Sequence, residues 1–200
     1  MSRKNPHLLK SASLFALFCL SYLPLFFLLT VKVVITNQTY LHFAGFTLNA
    51  FILMIQKFGF VIIMTVLGIY AGIGTMITLS NIRAKRSNAN PVKLKSIKPK
   101  NEEALSYLAT YVIPLLIQGD TGLFEYVTFT VLFIIYYKLY STSSLILINP
   151  ILNMKYGLYD VEYIVGNEIK SALIISEHKW LDEGEELKVI KLSHRLYFGF

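Results

Sequence analysis

The feature that most constrains this 200-residue chain is the separation of its apolar stretches from its charges. Residues 1–100 contain twelve Lys or Arg and no Asp or Glu, whereas residues 101–200 contain seven Lys or Arg and all twelve acids. Hydrophobic residues make up 54% of the chain, and charged residues make up only 16%, below the roughly 25% of soluble domains. This pattern predicts a polytopic membrane protein.

Four apolar stretches are candidates for membrane-spanning helices, because about 20 residues of helix cross a bilayer core of about 30 Å. They lie at about 11–31, 58–79, 101–120 and 122–140, within a predicted transmembrane domain at 1–148. Cations are concentrated near the N terminus and in a basic loop at 80–103, whereas the opposite loops hold only Lys32 and Lys57. Basic loops stay in the cytoplasm, so both termini and the basic loop are predicted to be cytoplasmic.

From residue 149 onward the pattern changes to short alternating segments separated by turn residues. Strands are predicted at 159–165, within 168–180 and within 187–200, with a two-residue hairpin loop at Gly166-Asn167. The predicted fold is therefore an α-helical membrane protein, in which four transmembrane helices are followed by a small cytoplasmic β-rich module at 149–200.

The second predicted span contains three glycines, Gly68, Gly72 and Gly74. A Gly-x-x-x-Gly spacing places two glycines on one helix face, where another backbone can approach closely. These residues are candidates for a contact between copies of the chain or, equally, for helix packing within one copy.

The third predicted span carries a polar stripe and a proline. Residues spaced three or four apart share one face of a helix, and a polar face inside a membrane is directed towards protein or water rather than lipid. This face forms either a lined cavity or a helix–helix interface, and the proline is a candidate hinge. The candidate residues are Glu103, Tyr107, Thr110, Tyr111, Pro114 and Gln118.

The basic loop is predicted to be flexible, and its cations have several possible roles. They set the topology, attract anionic lipid headgroups or dock an acidic partner. Sequence-specific binding of nucleic acid is not expected, because the aromatic residues of single-strand binders are absent between the cations. The candidate residues are Arg83, Lys85, Arg86, Lys93, Lys95, Lys98 and Lys100.

The sequence gives no indication of an enzyme. The four histidines are scattered, and no metalloprotease, nucleophile-elbow, phosphate-loop or dinucleotide motif is present. The single cysteine, Cys19, lies in an apolar run and forms no disulfide or cysteine-based metal site within one chain. No catalytic residue, metal or cofactor is predicted.

The chain resembles the KwaA family, the membrane component of the Kiwa anti-phage defence system of bacteria. The resemblance rests on the length, the four apolar stretches, the segment NEEALSYLATYVIP at 101–114 and the region from Asn149-Pro150 to Tyr159. It implies an oligomer in the inner membrane, specifically a tetramer, that senses phage attack on the envelope. It also implies a cytoplasmic DNA-binding partner, KwaB.

Two functions follow as hypotheses. The first is an inner-membrane sensor and scaffold that detects envelope perturbation and anchors a cytoplasmic DNA-binding effector. The alternative is a small oligomeric channel or pore lined by the polar stripe of the third predicted span.

Overall fold

The computed structural model describes residues 9–41, 45–100, 123–142, 149–165, 168–192 and 195–200. Five α-helices lie within these ranges: α1 (Ser11–Ser21), α2 (Leu23–Thr36), α3 (Leu48–Ala84), α4 (Leu123–Thr142) and α5 (Pro150–Lys155). Five strands accompany them: β1 (Asn90–Pro99), β2 (Gly157–Val165), β3 (Glu168–Ser176), β4 (Glu186–Lys191) and β5 (Leu196–Gly199).

The first predicted span is a broken pair of helices, because α1 and α2 meet at a bend of 55°. At the break, the Tyr22 N–H donates to the carbonyl of Cys19 at 3.2 Å. The carbonyl of Phe18 receives the Ser21 hydroxyl instead, at 2.6 Å. Pro24 lies in the first turn of α2, where the amide hydrogen that proline lacks would have no helical partner.

The second predicted span is part of the much longer helix α3, which has 37 residues. Its N terminus is capped by the Thr47 hydroxyl, which accepts from the Ala50 N–H at 3.2 Å. At 1.5 Å per residue the helix is about 55 Å long. It therefore extends well beyond the thickness of a bilayer core.

The prediction of four transmembrane helices followed by a small β-rich tail is wrong. Among the described residues, α3 is the one helix long and apolar enough to cross a membrane, and the bent pair α1–α2 adds a second if it counts as one span. The apolar part of α4, Val127–Ser141, is shorter than the about 20 residues that a span needs. The predicted third span at 101–120 lies outside the described residues. The helices instead accompany a closed five-stranded barrel.

The prediction that the basic stretch at 80–103 is a flexible loop is also wrong. Its first residues continue α3, and Asn90–Pro99 forms β1. Val92 and Leu94 are buried while Lys93 and Lys95 are exposed. This alternation is that of a half-buried strand, so the lysines lie on the outside of the barrel.

The barrel closes in the order β1–β2–β3–β5–β4. All neighbouring strands are antiparallel except β3 and β5, which are parallel. An irregularity between Leu94 and Ser96 lets the first part of β1 pair with β4 and the second part with β2. The predicted strands at 159–165 and 168–180 are present as β2 and β3, whereas the predicted third strand is two strands, β4 and β5.

The hydrophobic core has two parts. Leu94, Val161, Ile174 and Leu187 fill the barrel, and each is 1% exposed. A second cluster begins in α1 and continues through α5 to the strand faces that are directed away from the barrel interior, where it ends at Phe198 and Phe200. The helices and the barrel therefore share a core.

Candidate functional site at the junction of the helices and the barrel

Arg83, in the last turn of α3, connects this helix to the barrel. Its Nε donates to Glu177 Oε1 at 2.7 Å, and its Nη2 donates to the Tyr156 hydroxyl at 3.0 Å. Tyr156 directly precedes β2 and Glu177 directly follows β3, at the end of the pair where Gly157 lies opposite Ser176. One guanidinium therefore holds both strands of the β2–β3 pair to the end of α3.

The charges at this contact are partly open to solvent. The side chains of Arg83 and Glu177 are 47% and 27% exposed, so the ion pair itself contributes only about 0.2–1 kcal/mol. Burial raises the pKa of Tyr156, which keeps its hydroxyl protonated, and the neighbouring Arg83 charge opposes that rise. The contact is geometrically specific rather than strongly stabilising.

A second connection is made by Asn149, whose side chain is fully buried. Its Oδ1 accepts from the N–H groups of Ile151 and Leu152 at 3.1 and 3.2 Å, which caps α5. Its Nδ2 donates to the carbonyl of Leu17 in α1 at 2.9 Å. A single side chain thus starts the helix that leads into β2 and attaches it to α1.

An aromatic cluster surrounds this connection. The Phe18 ring lies 4.9 Å from Phe133, 5.3 Å from Tyr137 and 5.3 Å from Tyr140, so it joins α1 to α4. Offset and edge-to-face ring pairs at these distances each add about 0.5–1.5 kcal/mol beyond the area they bury. Movement of α1 is therefore resisted by α4 and by the Asn149 contact together.

Away from the junction, α3 presents a large apolar surface that nothing in the described part of the chain covers. In the most apolar 18-residue stretch of α3, only 6% of the residues are buried. The side chains of Ile63, Val66, Ile69, Met76 and Ile77 are each more than half exposed. Contiguous apolar surface of this extent indicates a membrane or a protein partner.

The predicted glycines occupy different environments on α3. Among the described residues, nothing lies within 4 Å of a Cβ placed at Gly68 or Gly72. A Cβ at Gly74 would lie 2.6 Å from the Cβ of Ala16, closer than two such atoms ever approach. Gly74 therefore packs against α1 within one chain. For Gly68 and Gly72 both alternatives, a contact between copies and packing within one copy, stay predictions.

The predicted cations are divided among several elements rather than gathered in one loop. Arg83 is held at the junction, and Arg86 lies 5.4 Å from the ring of Phe200. Lys85 lies between α3 and the turn Arg86–Asn88. Lys93, Lys95 and Lys98 lie on β1, and Lys100 follows it. Their predicted contact with a partner or with lipid headgroups stays a prediction.

The residues of the polar stripe and hinge predicted in the third span lie outside the described residues. These residues are Glu103, Tyr107, Thr110, Tyr111, Pro114 and Gln118. The pore hypothesis depended on this stripe, so it stays untested. In the described ranges no group of three or more His, Cys, Asp or Glu could hold a metal ion.

Sequence reasoning predicted Arg83 as a candidate site residue, but it missed the role of Asn149 and the two partners of Arg83. Asn149 carried a usable signal, because asparagine followed by proline is typical of a helix start, with the proline in the first turn. Glu177 and Tyr156 carried none, because their contacts with Arg83 join residues 94 and 73 positions apart.

Comparison with known proteins identifies one family. A family model described as "Anti-phage protein KwaA" matches residues 13–198. Neither the curated proteins nor the solved structures gave a match.

Proposed function

The chain belongs to the KwaA family of anti-phage proteins, and from this membership we propose that it is a membrane-anchored, non-enzymatic sensor and scaffold of a bacterial defence complex. Membership of the family implies the role in anti-phage defence. Beyond that role, we propose that two parts of the molecule have different tasks. The helix α3, together with the bent pair α1–α2, lies in the inner membrane and responds to perturbation of the envelope by phage, and the barrel holds a cytoplasmic DNA-binding effector.

The observation that carries the proposal is the uncovered apolar surface of α3 next to the barrel. A helix of 37 residues is long enough to cross the bilayer and still reach the barrel with its last turns. Its final turn ends at the Arg83 contact with Glu177 and Tyr156. A change in tilt or depth of α3 would therefore act directly on the β2–β3 pair.

The charges support a cytoplasmic barrel. Arg83, Lys85 and Arg86 follow the apolar part of α3 on the barrel side, while Lys32 and Lys57 lie towards the other ends of α2 and α3. Cytoplasmic loops are enriched in Lys and Arg. If both α3 and the α1–α2 pair cross the membrane, the N terminus shares the side of the barrel and of Phe200.

In the described part of the chain no atom lies within 4 Å of a Cβ placed at Gly68 or Gly72, and this supports an oligomer. Small residues at this spacing allow a second helix to approach closely in a membrane. The proposed assembly is a homo-oligomer, with the tetramer as its expected form, in which copies of α3 cover part of one another's apolar surface.

The test is capture of the effector by tagged full-length protein, expressed from its own gene neighbourhood and purified from solubilised membranes. We expect a DNA-binding protein to co-purify. Reversal of charge at Lys93 and Lys95, which lie exposed on β1, should reduce that recovery at least tenfold. The matched control is reversal at Lys188, exposed on β4, which should leave recovery unchanged.

Two results would contradict the proposal. One is full-length protein in the membrane that retains no DNA-binding protein. The other is activity of a periplasm-specific reporter fused after Phe200, because this would place the barrel on the wrong side of the membrane.

A further inference from the structure

The barrel has the strand order and directions of an OB-fold. The closed order β1–β2–β3–β5–β4, the single parallel pair β3–β5 and a first strand shared between β2 and β4 are the features of that barrel. OB-folds bind ligands on the outer face of the second and third strands, between the loops that follow strands one and four. Topology alone does not establish binding, so the residues on this face determine whether it binds a ligand and of which kind.

On this chain the same face forms a polar groove of about 300 Å³. It is lined from β1, from β2, from β3 and from the connection between β4 and β5. Its polar lining residues are Ser96, Lys98, Lys100, Asp160, Glu162, Ser171 and Arg195. The groove therefore combines both signs of charge with hydroxyl groups.

The strand register arranges these groups in rows. Lys98 lies opposite Asp160, and Glu162 lies between Ser96 and Ser171. Neighbouring strands are about 4.8 Å apart, so each row spans a distance of about 10 Å. The two carboxylates are therefore central, with Lys98 on one side.

Arg195 supplies the cation of the opposite side. Its carbonyl accepts from the Leu173 N–H at 2.8 Å, which fixes its backbone beside β3. Its side chain lines the same groove as the two carboxylates. Cations at both rims with acids between them give the groove an alternating charge pattern across the strands.

These charges are not neutralised by one another. Among the described residues, neither Asp160 nor Glu162 forms an ion pair with Lys98 or Arg195 within 4.0 Å; the ion pairs that do occur there lie elsewhere, at Arg83–Glu177 and Lys170–Glu168. Lys98, Asp160, Glu162 and Arg195 are thus available to a ligand that brings complementary groups.

We propose that this groove binds a nucleotide. Lysine and arginine at the rims suit phosphate oxygens. Carboxylates and serine hydroxyls between them suit the ribose hydroxyls or a base amino group, as acidic residues do in dinucleotide sites. A nucleotide carries an anion and these donors within one small molecule. A stacked single strand is disfavoured, because no aromatic side chain is among the residues that line the groove.

The proposal does not rest on the sensor and scaffold function, and it is tested on the purified full-length protein by calorimetric titration with ATP. We expect saturable binding of one ATP per chain. Arg195→Ala, Lys98→Ala and Glu162→Gln should each weaken it about tenfold, the effect expected for one charged hydrogen bond. Lys188→Ala, on the exposed face of β4, should leave the affinity within twofold. Circular dichroism checks that each variant is folded.

Titrations with two other ligands distinguish nucleotide recognition from non-specific anion binding and from binding of a single strand. Inorganic triphosphate should bind at least tenfold more weakly than ATP, because it lacks the groups that Glu162 accepts from. Equal affinity for triphosphate would overturn the proposal in favour of non-specific anion binding. Tighter, salt-sensitive binding of an oligothymidine than of ATP would overturn it in favour of a single strand. Absence of ATP binding at millimolar concentration would also overturn it.

Discussion

At the scale of single residues, Asn149 both caps α5 and attaches it to α1. Replacement by Ala removes the cap of α5, leaves the buried Leu152 N–H without its acceptor and breaks the hydrogen bond to the Leu17 carbonyl. Loss of a cap costs about 1 kcal/mol and an unsatisfied buried group about 1–3 kcal/mol. We therefore expect Asn149→Ala to lower the free energy of unfolding by about 2–4 kcal/mol, measured by thermal unfolding in detergent.

The matched variant is Asn149→Ser, which keeps a capping oxygen but loses the amide that reaches Leu17. It should fall between the native chain and Asn149→Ala. Equal stability of all three proteins would show that the contact between α1 and α5 contributes nothing.

A second residue-scale prediction concerns pH. Burial, together with the hydrogen bond from its hydroxyl to Tyr197 at 3.3 Å, raises the pKa of Tyr163 to about 12. The folded state thus favours the protonated phenol. Its contribution to stability is fully present below the unfolded pKa of about 10 and is lost as pH rises through about 12.

This titration is measurable by tyrosinate absorbance. In the native protein Tyr163 should ionise near pH 12, and Tyr163→Phe should reduce the tyrosinate absorbance that develops there by the share of one tyrosine. An unchanged absorbance near pH 12 in Tyr163→Phe would contradict the assignment to this residue.

At the scale of elements, the contact of α1 with α3 depends on the absence of a side chain at Gly74. Gly74→Ala places a methyl group 2.6 Å from Ala16 Cβ, so the helices must separate. Overpacking of this kind costs about 1–3 kcal/mol. We expect Gly74→Ala to lower the unfolding temperature of the protein in detergent.

Gly72→Ala is the matched control, because a methyl group there meets nothing within 4 Å. It should be neutral or slightly stabilising for the single chain, since alanine favours a helix over glycine by up to about 1 kcal/mol. Equal loss of stability in both variants would contradict the assigned packing. Loss of oligomer in Gly72→Ala alone would support a contact between copies.

The elements also show what sequence could predict. The strand β2 was predictable because apolar and polar residues alternate along it, and β3 because the predicted hairpin loop at Gly166-Asn167 directly precedes it. β1 was not predicted because its closely spaced cations and prolines indicated a loop. Even so, Val92 and Leu94 alternate with Lys93 and Lys95 as in a half-buried strand. The last predicted strand is divided into β4 and β5, and between them the Leu192 N–H donates to the Leu196 carbonyl at 2.8 Å.

At the scale of the whole molecule, the barrel is built from chain on both sides of α4. β1 precedes the segment 100–156 and β2 follows it, and the two strands pair over most of their length. No local sequence pattern reveals this pairing, because β1 and β2 can pair only after the segment between them has brought the two strands side by side. The family and its defence role were recognisable from sequence, whereas the fold class and the junction required the pairing of distant segments.

The shared core gives this architecture a mechanical consequence. α1, α5 and the outward strand faces belong to one cluster of buried side chains. In addition, the hydrogen bonds of Arg83 connect the end of α3 to the ends of β2 and β3. A displacement of the helices is therefore transmitted to the barrel rather than absorbed by a linker.

The central claim, that the junction passes a signal from the helices to the barrel, is tested most directly by a charge exchange at Arg83 and Glu177 in a phage plaque assay. Arg83→Glu should abolish protection while the protein remains in the membrane at native abundance. The double variant Arg83→Glu with Glu177→Arg restores an ion pair and should recover most of the protection. As control, Glu168→Arg breaks the Lys170 pair at 3.1 Å within β3 and should protect fully. Full protection by Arg83→Glu alone would contradict the claim.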